Sequence, residues 1–170
     1  MTPVTLEALR RIAAVHGLLA WGAAALLALA AGLLARRRSS PPPAAIAVSA
    51  LAAALTAITS ALGLLLHDAY LSRLRQRIFL RDPALGWLFE RKEHLAFGSL
   101  GLALCGLASL LAFVLVERRR LTRRADVGPA PTSPLSIPLW RAALTAYAAS
   151  AVLALAANIL SSLVARKFSF

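Results

Sequence analysis

Acidic residues are nearly missing from this chain. Asp and Glu number seven in 170 residues, and none lies inside a long apolar run. That excludes a di-iron carboxylate centre, which needs paired Glu and Glu-x-x-His motifs projecting into a helical bundle. Cysteine is almost absent too. The single Cys105 sits in an apolar stretch, so no intrachain disulfide forms and compartment cannot be read from cysteine usage. There is no His-Glu-x-x-His or Cys-x-x-Cys spacing, no Gly-rich phosphate loop and no nucleophile–base constellation. No polar segment is long enough to form a soluble catalytic domain.

What is present is hydrocarbon. At 59% apolar residues and mean hydropathy +0.72, the chain carries more apolar surface than a soluble domain could bury. The formal net charge of +12 would point a soluble protein towards nucleic acid. Here the Arg residues cluster against apolar runs, which is the pattern of membrane flanks, so no nucleic-acid partner is expected.

Four runs are long enough to cross roughly 30 Å of hydrocarbon. They cover residues 12–35, 44–66, 95–116 and 139–165. The first ends on Arg36-Arg37-Arg38 without a small-x-small cleavage site, so it reads as a retained span rather than a signal peptide. Ser39 to Pro43 break the chain before the second, and a Pro-rich connector over 125–138 precedes the fourth. The expectation is one all-α domain over 1–170: an integral membrane four-helix up-down bundle.

The polar loop over 67–94 organises the rest. Leu71, Leu74 and Ile78, with Tyr70, make an apolar stripe opposite Arg73, Arg75, Gln76 and Arg77, which predicts an amphipathic interfacial helix over 70–81 between spans two and three. Asp82-Pro83 reads as an N-cap with proline in the first helical position. A helix starting there can run through Trp87, Glu90 and His94 into span three. At the other end of the chain, Thr2 or Thr5 can cap span one.

Four spans put both termini and the 67–94 loop on one face. Basic residues divide almost evenly between the two faces, and the tight Arg clusters at the ends of spans one and three favour that opposite face as cytoplasmic, the termini then being periplasmic. All three histidines fall at the terminal face: His16 at the start of span one, His67 at the end of span two, His94 at the start of span three. Histidine in a membrane span marks function more often than packing, although a lone interfacial one is commonly a polar anchor. Gly63 precedes His67 by one turn, and Gly98 and Gly101 follow His94 by one and two turns. Ala20 and Ala23 stand at the same spacings after His16. Small residues on a ligand's helical face make room for a flat macrocycle. HGLLAWGAAALL from His16 can also be laid over HLAFGSLGLALC from His94, an internal repeat in which the two histidines correspond.

The layout of four spans, with histidines opening spans one and three and an amphipathic loop between spans two and three, resembles the membrane domains of small bacterial b-type cytochromes. The resemblance covers spans one to three. It implies haem b in a bacterial inner membrane and electron exchange with quinone or a partner subunit, with His16 and His94 as the axial pair and His67 as the competing ligand. Arg10, Arg11, Arg91 and Lys92 would be at hand for the propionates. A span four without histidine allows one haem and argues against two. Two further readings stay open. One is a zinc or copper site adding Glu90, Glu93 or Asp68. The other is a cofactor-free accessory or scaffold subunit held among other membrane subunits or in a homo-oligomer. Asn158 can donate a hydrogen bond into the histidine layer or serve a helix contact.

Overall fold

The computed structural model describes residues 5–36, 42–127 and 135–168. Its secondary structure is entirely helical. Helix α1 spans Leu6–Ala35, α2 Pro43–Arg73, α3 Arg75–Arg81, α4 Pro83–Val127 and α5 Ser136–Lys167. All but α3 are long and apolar enough to cross a membrane. The prolines at 41 and 129–134, Arg37, Arg38 and Thr2, on which parts of the sequence reading rest, lie outside the described residues.

Local chemistry sets the helix starts. Thr5 caps α1, its hydroxyl accepting from the Ala8 amide at 3.3 Å. Pro43 occupies the first turn of α2, where a missing N–H costs nothing. Asp82 accepts from the Leu85 amide at 3.0 Å and Pro83 opens α4, as the dipeptide predicts. From there α4 runs unbroken for 45 residues through the polar stretch and the apolar run.

One expectation changes. The helix foreseen over 70–81 divides at Leu74, and its first part is the end of α2. No Gly or Pro stands between Gly63 and Pro83, so nothing in the chain stops α2 where its apolar run ends at Leu66. Leu66, Tyr70, Leu74 and Ile78, four residues apart, stay buried and carry the helical face on. Arg73, Arg77 and Arg81 are exposed on the other side.

Each long helix packs on two others: α1 on α2 and α5, α4 on α2 and α5. Small residues fill these seams. Leu27, Ala30 and Leu34 of α1 meet Ala45, Ala52 and Ala53 of α2, with Ala143, Tyr147 and Ala151 of α5 in the same cluster. In lipid the helices gain no water-exclusion energy from meeting, so close van der Waals approach and interhelical hydrogen bonds must hold them. The seam between α4 and α5 shows both. Ser150 donates to the Ser99 carbonyl at 2.7 Å and Ser99 meets Ser150 in return. Tyr147 crosses to donate to the Ser49 carbonyl of α2 at 3.0 Å. Outward-facing positions such as Leu18, Leu65 and Val152 are 65–75% exposed, the surface a bilayer would cover.

A second, smaller cluster joins Tyr70, Leu74, Ile78 and Leu85 to Val164 and Phe168. It packs the α3 corner against the end of α5.

Candidate functional site

Between these two clusters the packing opens. A cavity of about 660 Å³ is lined by α1, α2, α4 and α5, a size usual for small-molecule sites, which run roughly 300–1,000 Å³. The sequence explains the space. Here α1 presents Ala13, Ala14, Gly17 and Ala20, α2 Ser60 and Gly63, and α5 Ala157, Ser161, Ser162 and Ala165. A Cβ added to Gly17 would meet nothing within 4 Å.

Polar groups converge on this space from all four helices. The His16 ring packs on Gly63, where an added Cβ would stand 3.3 Å from Cε1. Its Nδ1 lies 3.1 Å from the Thr59 carbonyl oxygen, an acceptor only, so Nδ1 carries the hydrogen and Nε2 keeps the lone pair. His67 places Nδ1 3.1 Å from Glu93 Oε1. Lys92 donates to Ser161 Oγ at 3.1 Å and holds its ammonium 3.8 Å from the centre of the Phe89 ring. Asn158 donates to the Ala20 carbonyl at 2.9 Å, so the helix-contact role is the one it fills. Tyr70 is 5% exposed, its ring 4.7 Å from that of Phe89, and its buried hydroxyl finds no hydrogen-bond partner among the described residues.

The histidine layer is divided. His16, His67 and Gly63 line the cavity, whereas His94 does not and is exposed. On α4 the inward positions are Phe89, Lys92, Glu93, Ala96 and Phe97, a helical i, i+3, i+4, i+7, i+8 face. His94 follows Glu93 by 100° of rotation and leaves that face. Gly101 is exposed with open space at its Cβ position, and Gly98 meets Leu153 of α5 instead. The two histidines that the sequence overlay relates therefore have different surroundings. The side chains weighed as zinc or copper ligands do not gather: no cluster of three His, Cys, Asp or Glu is found among the described residues.

Sequence reading offered Lys92 only as a propionate partner and missed Tyr70 and Ser161 as cavity residues. The periodic face over Phe89–Phe97 was the available signal for Lys92. Nothing local marks Ser161, because its role depends on α5 returning beside α4.

The corner outside the cavity is held by two ion pairs, Arg75–Glu90 at 2.7 Å and Lys167–Asp82 at 3.2 Å. The Leu85 amide, and after it Lys167, hold the Asp82 carboxyl below the usual carboxylate range. A carboxylate depressed in the folded state stabilises it above the unfolded pKa, and that contribution disappears as pH falls through the lowered folded value. Hydrogen exchange should therefore show the Leu85 amide and the Val164–Phe168 turn opening faster below about pH 4. Asp82→Ala, which removes both the cap and the ion pair, should exchange fast at those positions already at neutral pH and lose the acid dependence.

No protein-family model matches the chain, and its comparison with curated proteins and with solved structures gives no match.

Proposed function

We propose that this chain is a multi-pass membrane protein, an up-down four-helix bundle with α3 in the headgroup plane, that binds an amphipathic small molecule in the cavity between its helices. The observation carrying this reading is the cavity itself: largely apolar walls, with Lys92, Tyr70, His16 and His67 placed on them from three helices. A packing defect would not be expected to bring an ammonium and two imidazoles onto otherwise apolar walls. Quinones belong to the class of molecule that suits such a site. The test is native mass spectrometry of the chain released from lipid nanodiscs. A small molecule should stay bound to it and should be lost from Gly17→Phe, whose ring would occupy the cavity. An unliganded chain indistinguishable from Gly17→Phe would end this reading.

One observation favours haem b as that molecule. His16 and His67 both engage Nδ1 with an oxygen acceptor, which is how ligating histidines are oriented so that Nε2 faces the metal. The pair favoured by geometry is then His16 with His67, with Lys92 on the same cavity wall for a propionate. Bound haem would supply one-electron transfer. The expected result is a visible spectrum with a sharp reduced α-band that disappears in His16→Ala and in His67→Ala and survives His94→Ala. A chain that purifies colourless from haem-supplemented cells would reject haem and leave the amphiphile reading in place.

A further inference from the structure

The ammonium of Lys92 defines what kind of headgroup the cavity takes. Tyr70 and Lys92 pack on the same Phe89 ring, the tyrosine at 4.7 Å between centroids and the ammonium at 3.8 Å. Ser161 is the one hydrogen-bond acceptor that Lys92 finds among the described residues. An ammonium has three N–H donors; Ser161 takes one and the Phe89 ring faces another, which leaves one for a ligand. Glu93, the acid on the wall, is held by His67. Trp21, Leu64, Phe97 and small residues of α1 and α5 make up most of the apolar lining.

We infer that the cavity binds a single-chain anionic amphiphile, its carboxylate accepting from Lys92 Nζ and its hydrocarbon tail lying along Trp21, Leu64 and Phe97. This rests on the ligand-binding reading and narrows it. A carboxylate offers the ammonium an ionised acceptor, which an alcohol or an amide does not, and such charge-assisted bonds are the stronger ones. The tail asks only for apolar walls.

The experiment uses the full chain in phosphatidylcholine nanodiscs and three probes of equal length: dodecanoate, dodecanol and dodecyltrimethylammonium. Binding is read by native mass spectrometry, with Gly17→Phe giving the background from probe dissolved in lipid. Dodecanoate is expected to bind roughly ten- to a hundredfold more tightly than dodecanol, the size a charge-assisted hydrogen bond confers, and the cationic probe not above background. Lys92→Met should bring dodecanoate to within about twofold of dodecanol while leaving dodecanol unchanged. Equal affinity for dodecanoate and dodecanol, both above background, would overturn the anion assignment while the cavity remains a binding site. No probe above background would overturn both.

Discussion

Replacing Gly106 with Leu is expected to lower the stability of the folded bundle by roughly 1–3 kcal/mol, the usual cost of forcing extra volume into a packed interior. Gly106 lies where α4 passes closest to the Tyr147 ring of α5. A Cβ there would stand 3.0 Å from both Cδ2 and Cε2 and 3.3 Å from the Ala146 methyl. The ring cannot swing away easily. Tyr147 is fully buried, and its hydroxyl is anchored on the Ser49 carbonyl of α2. Moving it loosens three helices together, and the lost hydrogen bond adds about 0.6 kcal/mol, the mean for such bonds within membranes. Reversible unfolding in mixed micelles should show the decrease. Tyr147→Phe should lose the smaller increment alone, and Gly101→Leu, at an exposed position with open space around it, should change nothing. Equal stability of Gly106→Leu and Gly101→Leu would mean that the α4–α5 approach is looser than described.

The second large effect is expected at Trp140. Its ring meets Phe113 edge-on at 5.3 Å and is 8% exposed, closing the core cluster at the end opposite the cavity. In water-soluble cores, cutting a buried aromatic to Ala costs about 3–5 kcal/mol, part from transfer and part from the void left behind. Lipid removes most of the transfer part, because separated helices return their side chains to hydrocarbon rather than to water. The void and the lost edge contact remain, so Trp140→Ala is expected to cost about 2 kcal/mol in bilayer or micelle. Near-UV circular dichroism over the same micelle titration measures it. Trp140→Phe should recover more than half. The void lies far along the bundle from Lys92, so amphiphile binding by the folded fraction should be unaffected, which separates stability from site.

What the residues announce and what they leave open divides along a physical line. Span number and helix starts are properties of contiguous sequence. Apolar runs of sufficient length, Thr5 and Asp82 as caps and Pro43 and Pro83 in first turns act within a few residues of themselves, so a linear reading reaches them. The end of α2 was less legible, because Tyr70, Leu74 and Ile78 are held by Val164 and Phe168 from the other end of the chain.

The histidines show the same division more sharply. Their position along each helix is a property of the linear chain and was readable. Which way each points depends on helix rotation, and 100° per residue is enough to set His94 outside while Glu93 and Lys92 line the cavity. In chains this rich in Ala, Leu and Gly, hydrophobic periodicity says little about rotation, since lipid-facing and core-facing positions are equally apolar. The sequence alone therefore determined that four apolar helices exist and where their polar residues stand along them. The tertiary structure decided which of those residues share a wall, because only the return of α5 beside α4 brings Ser161 to Lys92, and only the close passage of α1 over Gly63 brings His16 to Thr59.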